Sequence, residues 1–88
     1  MRELSKYFVY ILLCAANTLY TGITPDIEKR MLVHASGKGS KYVRTRLPFR
    51  LIYQEEVANK IIAAQREYEI KQWPREQKIK QLRLVIDL

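Results

Sequence analysis

The stretch YFVYILLC at residues 7–14 decides the fold. It is rich in aromatic and β-branched residues and lacks polar alternation, which is typical of a strand covered on both faces. The next residues, AANT at 15–18, predict a turn, and LYTGI at 19–23 predicts a second short strand. Together they predict a β-hairpin. The apolar run is too short to cross a bilayer, so no membrane partner is expected.

The register of this hairpin decides which side chains share a face. If Cys14 lies opposite Thr18, then Tyr10 lies opposite Gly22, and Tyr20 projects from the same face as Tyr10. A slip of one residue would place the two tyrosines on opposite faces. Gly22 would leave space beside the Tyr10 ring. Tyrosines in strands more often pack in a core with the hydroxyl at its edge, and that interpretation stays open.

The segment after the hairpin predicts a helix. Thr24 fits the N-cap and Pro25 the first helical position, and residues 36–37, Ser-Gly, are expected to end the helix. Arg30 and His34 lie one turn apart, so they share one side at the edge of the apolar stripe. The residues predicted to face the core are Ile27, Met31 and Ala35.

A basic segment precedes the third strand. Residues 38–50 contain no acidic side chain, which favours a surface that binds the nucleic-acid backbone, although a solvated loop is the alternative. The basic residues are Lys38, Lys41, Arg44, Arg46 and Arg50. The third strand is expected over residues 49–54, where Phe49, Leu51 and Tyr53 alternate with Arg50, Ile52 and Gln54.

Two helices complete the pattern. Asn59 is the predicted N-cap of a long helix that stops before Pro74, where a last helix begins. The predicted core stripes are Val57, Ile61, Ala64 and Tyr68 on the long helix, and Ile79, Leu82 and Ile86 on the last. The order β-β-α-β-α-α predicts an α/β chain of the α+β kind, with a three-stranded, mainly antiparallel sheet flanked by helices.

Length, charge and cysteine content bound the function. The 88 residues are expected to form one domain, 1–88, with its core at about 7–82. Sixteen Lys and Arg against nine Asp and Glu give a net charge of +7, which favours nucleic acid as partner over an anionic membrane. A basic surface that only aids solubility is the alternative. Cys14 is the only cysteine, so no intramolecular disulfide forms, and a reduced, cytoplasmic setting is expected.

Glu67 is the candidate carboxylate for a functional site. It follows Ala63 by four residues and Ala64 by three, so its side of the helix carries small side chains. A carboxylate there can face the sheet without being crowded. An exposed glutamate paired with Lys60 or Lys71 is the ordinary alternative, and the spacing does not exclude it.

The candidate motifs follow one another in a characteristic order. They are FVY at 8–10, YTG at 20–22, Arg30 and His34 on the next helix, and Glu67 in a Glu-x-x-Ile-Lys context. This arrangement resembles the GIY-YIG endonuclease family, and in particular its small, stand-alone, uncharacterised bacterial members. The segments YTGIT, GKGSKY and PFRLIY also fit that subgroup. The resemblance covers roughly residues 7 to 82.

The resemblance implies a β-β-α-β-α-α fold and metal-dependent hydrolysis of DNA phosphodiester bonds, with a repair-like, structure-specific action as one form of it. It implies that one Mg²⁺ or Mn²⁺ ion is held by Glu67. It further implies DNA as the partner, with RNA and a larger repair or processing complex as further ones. The residues that match the catalytic positions are Tyr10, Tyr20, Arg30 and His34, and Gly22 matches the motif glycine.

Two departures from the family pattern involve Phe8, in place of the first motif's glycine, and Thr21, in place of the second motif's isoleucine. Many members also carry an asparagine near the end of the domain, whereas the asparagines here are Asn17 and Asn59. The alternative is therefore a non-catalytic nucleic-acid-binding or interaction module with the same fold.

The nuclease hypothesis makes a geometric prediction. One phosphate, one water and one metal must contact the same set of side chains, so these must converge. We expect the polar ends of Tyr10, Tyr20, Arg30 and Glu67 to line one concave surface on one face of the sheet. We expect His34 at the rim of that surface and the basic segment beside it.

Overall fold

The computed structural model describes residues 6–86 and contains a three-stranded antiparallel sheet with helices on both faces. The strands are β1 (Tyr7–Cys14), β2 (Thr18–Thr24) and β3 (Phe49–Val57). The helices are α1 (Ile27–Ala35), α2 (Lys41–Arg44), α3 (Lys60–Gln72) and α4 (Arg75–Leu82). The strand order is β2-β1-β3, which confirms the predicted α+β fold. Within residues 6–86, no helix has the length and apolar character needed to cross a membrane.

The central strand β1 is covered on both sides, as its sequence predicts. On one side, Val9 and Ile11 pack against Ala63 and Ile70 of α3, and this side is called the Val9 face. On the other side lie Tyr10, Leu12 and Cys14, packed against Val43 and the apolar residues of α1, and this side is called the Tyr10 face. The β1–β2 register pairs Tyr10 with Gly22, which confirms the predicted hairpin and places both motif tyrosines on the Tyr10 face.

A β-bulge interrupts the alternation of β3. Ile11 pairs with Tyr53 whereas Leu12 pairs with Leu51, so Ile52 is an extra residue in the ladder. Phe49 and Leu51 consequently pack on the Tyr10 face, while Tyr53 packs on the Val9 face. The expectation that the alternation runs unbroken from Phe49 to Tyr53 is wrong, because a bulge reverses the facing of the residues beyond it.

The first helix begins later than predicted. Asp26, not Thr24, is the N-cap, and its Oδ1 accepts a hydrogen bond of 3.0 Å from the Lys29 N–H. Thr24 is still part of β2, and its Oγ1 accepts from the Asp26 N–H at 3.1 Å, so Pro25 precedes the helix rather than opening it. The predicted cap of α3 is confirmed, because Asn59 Oδ1 accepts from the Ile62 N–H at 2.9 Å.

The core stripe predicted for α3 is wrong in phase. On this helix, Ile61 and Tyr68 are 69% and 70% exposed, and Ala64 is exposed as well. The helix is rotated so that Ala63 and Ile70 face the sheet instead.

The stripe predicted for α1 is confirmed in part. Ile27 and Met31 pack against the Tyr10 face, whereas Ala35 is exposed and the neighbouring His34 is buried. The residues predicted as the stripe of the last helix, Ile79, Leu82 and Ile86, do pack against the Val9 face, but α4 ends at Leu82 and Ile86 lies beyond it.

Candidate active site

Tyr10 lies at the centre of the candidate site. It sits in the middle of the central strand and is 1% exposed. Its phenol lies directly over Gly22: a Cβ at that position would be 2.6 Å from the Tyr10 oxygen and 3.0 Å from Cε2 of Tyr20. Gly22 is therefore required because the two aromatic rings occupy the space that any side chain would take.

The phenol of Tyr10 is hydrogen-bonded to His34. The oxygen lies 2.8 Å from His34 Nε2, and the imidazole is 1% exposed. Burial, reinforced by the positive charge of Arg30, lowers the pKa of His34, so the imidazole is neutral near pH 7. The expectation that His34 lies at the rim of the site is wrong. The ring lies beneath the site because it occupies the sheet-facing side of α1.

Gly39 closes the other side of the His34 ring. A Cβ on Gly39 would lie 2.6 Å from Nδ1, so the backbone of the loop after α1 passes directly against the imidazole. Nδ1 has no hydrogen-bond partner among the described residues. Among these residues, the imidazole of His34 therefore has a single hydrogen-bond partner, the Tyr10 phenol.

Tyr20 is the more accessible of the two motif tyrosines, since it is only half-buried. Its ring centroid lies 6.2 Å from that of Tyr10 and 5.6 Å from that of His34. On its other side, the ring of Tyr42 lies 5.7 Å away. Tyr42 belongs to α2, which lies within the basic segment at residues 38–50. Tyr20 therefore contacts both the buried Tyr10–His34 pair and the basic segment.

Opposite charges from two helices act on the Tyr10 phenol. Burial is the largest cause that raises the pKa of Tyr10; Tyr20 and the negative charge of Glu67 add to it, while the positive charge of Arg30 opposes it. Arg30 and Glu67, which are far apart in sequence, are therefore close enough to influence the same phenol. Both charges thus act on one buried phenol from helices that are far apart in sequence.

Glu67 reaches this region from the opposite layer. It belongs to α3, which packs on the Val9 face and contacts β2 and β1. The helix that carries Glu67 therefore lies on the opposite face of the sheet from Tyr10, where it contacts β2, the edge strand. The expectation that all the site residues share one face is wrong for Glu67. The Glu67 side chain is 23% exposed and forms an ion pair with Lys71 Nζ at 3.1 Å. The pairing with Lys71 that the sequence offered as the alternative to a metal-binding role is therefore also present.

The donor set at the site limits which metal it suits. Within residues 6–86, no group of three or more His, Cys, Asp or Glu side chains is placed to hold a metal ion. Glu67 offers one carboxylate at the site. That fits Mg²⁺, which commonly takes one or two protein carboxylates and completes its shell with water and substrate phosphate. It does not fit Zn²⁺, which needs three or four protein nitrogen, sulfur or oxygen ligands.

The basic segment flanks the site through Tyr42 and Arg46. The guanidinium carbon of Arg46 lies 3.8 Å from the centroid of the Tyr42 ring, and Nη1 donates to the Tyr42 carbonyl at 3.2 Å. The Arg46 carbonyl accepts from the Ala15 N–H at 2.8 Å, which ties the segment to the hairpin. The other basic residues predicted to contact nucleic acid are exposed, namely Lys38, Lys41, Arg44 and Arg50.

Sequence reasoning missed two aromatic residues of the site. Tyr42 contacts Tyr20, and the Phe49 ring lies 5.9 Å from that of His34. Tyr42 lies within the GKGSKY segment, and that was the available signal. No pattern pointed to Phe49, because its contact with His34 depends on the pairing of β3 with β1.

Comparisons with known proteins show the family of the chain. The GIY-YIG catalytic domain matches residues 6–80 of the chain. A UPF0213 protein of Staphylococcus haemolyticus is 48% identical over 79 residues, which cover 90% of this chain and 96% of that protein. A UPF0213 protein of Natronomonas pharaonis is 46% identical over 83 residues, covering 94% of each chain.

Two solved structures are similar as well. The solution NMR structure of a UPF0213 protein of Bacillus halodurans is 42% identical, with a TM-score of 0.58, and the match covers 89% of this chain and 83% of that one. The solution NMR structure of a protein of E. faecalis is 32% identical, with a TM-score of 0.65, covering 94% and 88%. With a domain match over most of its length and relatives at this identity, the chain belongs to the GIY-YIG family.

Proposed function

We propose that this chain is a metal-dependent endonuclease that hydrolyses DNA phosphodiester bonds. One observation carries the proposal: the buried Tyr10 phenol is hydrogen-bonded to a neutral imidazole and lies under the influence of both Arg30 and Glu67. A buried tyrosine needs one hydrogen-bond partner but no nearby cation and carboxylate, whereas phosphodiester hydrolysis needs a proton acceptor, a cation and a carboxylate together.

The Tyr10–His34 pair supplies the proton chemistry. A free phenol has a pKa of about 10, so ionising it at pH 7 costs roughly 4 kcal/mol, and burial of Tyr10 increases that cost. The proton that an attacking water loses can pass to the Tyr10 oxygen as the phenol proton passes to His34 Nε2. Burial and the charge of Arg30 disfavour the resulting imidazolium, so this relay needs the negative charge of the substrate phosphate nearby. Tyr20, the more accessible phenol, orients the water or the phosphate.

Arg30 and the basic segment bind the substrate. A guanidinium is planar and permanently charged, and it offers a fork of N–H donors to two phosphate oxygens. Arg30 is half-buried and close enough for its charge to act on the Tyr10 phenol, and there it would hold the scissile phosphate. The exposed residues Lys38, Lys41 and Arg44 would contact neighbouring phosphates without regard to base sequence.

Glu67 would hold one Mg²⁺ or Mn²⁺ ion, which when bound polarises a phosphate oxygen and supports the leaving group. Lys71 neutralises this carboxylate in the free protein. Metal affinity without DNA is therefore weak, and it rises when the substrate phosphate adds its own oxygens to the site.

A gel assay tests the proposal. Supercoiled plasmid, branched DNA and structured RNA are incubated with the protein and Mg²⁺ or Mn²⁺, and in parallel with EDTA. We expect nicking of DNA with either metal and none with EDTA. Shifted bands without cutting would instead indicate a non-catalytic binding module, and neither shift nor cutting would reject both interpretations.

A further inference from the structure

An open groove adjoins the candidate site where β2 ends and α1 begins. Its volume is about 290 Å³, and the residues that line it are Thr24, Pro25, Asp26, Lys29, Arg30 and Val33. Neither motif tyrosine lines it. The groove is thus a separate concavity, with a size at the lower end of the range for small-molecule sites.

Arg30 is shared by the groove and the candidate site. It lines the groove, and its charge acts on both Tyr10 and His34. A polymer that places one phosphate at Arg30 therefore has its neighbouring nucleotide within reach of the groove. No other residue that lines the groove has a charge that acts on Tyr10.

The lining suits a nucleoside better than a bare anion. Pro25 and Val33 provide an apolar wall against which a base or sugar can pack. Asp26 would repel a free phosphate, but its carboxylate can accept a hydrogen bond from a base amino group or a sugar hydroxyl. Lys29 makes no ion pair within the described part of the chain, so its ammonium is free to bind a phosphate at the open end.

The backbone groups at the start of α1 are already hydrogen-bonded within the protein, so they are not what would bind a ligand in the groove. Asp26 already caps the Lys29 N–H, and the Thr24 hydroxyl bonds both the N–H and the carbonyl of Asp26. Thr24 is buried, so it forms the floor of the groove and contributes no free polar atom. Side chains, not backbone donors, would recognise the ligand.

We infer that this groove binds the nucleotide next to the scissile phosphodiester. The nucleoside packs on Pro25 and Val33, and Lys29 holds the phosphate on its far side. The role of this nucleotide as part of a substrate rests on the proposed function, whereas its binding does not require that the protein cut DNA.

The binding test is an NMR titration of the isotopically labelled chain with dAMP, deoxyadenosine and inorganic phosphate. We expect dAMP to shift the amide signals of residues 24–33 in a saturable manner, and phosphate at equal concentration to shift them much less. Lys29→Glu should weaken dAMP binding by about tenfold, whereas Lys60→Glu, the same charge change at an exposed site on α3, should leave it within about twofold. Equal shifts with dAMP and phosphate would overturn the inference.

A cleavage test uses a variant that fills the groove. Val33→Trp should raise the KM for DNA by about tenfold and change kcat by less than about threefold, because it blocks binding without touching the reacting groups. Leu32→Trp, at a neighbouring position that is 72% exposed, is the matched control and should keep the normal KM. Circular dichroism checks that each variant is folded. If Val33→Trp does not fold, the KM of Lys29→Glu, a change at an exposed position, is measured in its place.

The two proposals fail in different ways. If the chain never cuts DNA but Lys29→Glu weakens dAMP binding, the groove assignment stands and the nuclease assignment fails. If the chain cuts DNA while Lys29→Glu and Val33→Trp keep the normal KM and dAMP binding, the groove assignment is overturned and the nuclease assignment stands.

Discussion

The Tyr10 phenol oxygen lies 2.8 Å from His34 Nε2, and this bond joins the central strand to the first helix inside the protein. Both residues are 1% exposed. A buried phenol and a buried imidazole each need a polar partner, and here each one satisfies the other. The strength of this pair depends on the protonation of His34, which is the only histidine in the chain.

Stability should therefore fall as the solution is acidified below neutral pH. Burial and the charge of Arg30 lower the pKa of His34 below the ordinary value of about 6.5, so the unfolded chain binds the proton more tightly than the folded chain. The contribution is complete above about pH 6.5 and is lost as the pH falls towards the folded pKa, by up to about 1.4 kcal/mol per pH unit. Urea unfolding between about pH 5.5 and 7.5 measures it. His34→Gln should remove this slope, and an imidazole that titrates at or above 6.5 by NMR would contradict the prediction.

Gly22→Ala should destabilise the protein. The new Cβ would lie 2.6 Å from the Tyr10 oxygen and 2.7 Å from its Cζ, and Tyr10 is held in place by His34. We expect a loss of about 1–3 kcal/mol in the free energy of unfolding, the usual cost of overpacking. In a protein that also carries Tyr10→Phe, the loss should be smaller, because the phenol oxygen, the atom nearest to the new Cβ, is absent. Equal losses in the two backgrounds would show that the strain arises elsewhere.

Glu67→Gln should abolish metal-dependent cutting while DNA binding stays within about twofold, because the substitution keeps the size and removes the charge that holds the metal. Glu69→Gln is the control, since Glu69 lies on the same helix and pairs instead with Arg66 at 2.8 Å. Plasmid nicking and a gel shift measure the two effects. Equal loss of cutting in the control would mean that the wrong carboxylate has been assigned.

The salt dependence of DNA binding should report on the basic segment. Each phosphate neutralised on duplex DNA contributes about −0.9 to the log-log slope of affinity against salt. Lys41→Ala with Arg46→Ala should flatten this slope by about one to two units. Fluorescence anisotropy at several salt concentrations measures it. An unchanged slope would remove the segment from the binding surface.

Arg46→Lys separates stacking from charge at the same position. Lysine keeps the charge but loses the planar group that stacks at 3.8 Å on Tyr42. We expect weaker binding for Arg46→Lys and little change for the exposed Arg44→Lys. Similar affinities for both variants would show that only the charge of Arg46 matters.

The sequence by itself determined the hairpin and the order of the elements other than α2, and it limited the hairpin to two registers. The uninterrupted apolar run of β1 requires cover on both faces, and the positions of Tyr10, Tyr20 and Gly22 follow once the turn is fixed, because strand residues alternate with period two. The cap of α3 at Asn59 was also readable, since it depends on a local hydrogen bond.

Only the tertiary structure decided the phase of α3 and the depth of the site. The pattern Ile61, Ala64 and Tyr68 favours one face of α3, yet Ala63 and Ile70 face the sheet, because close packing on β1 and β2 selects the rotation. His34 is buried for the same reason. The approach of Glu67 from the opposite layer depends on how α3 crosses the sheet near its edge, and such long-range packing leaves no periodic signal in the chain.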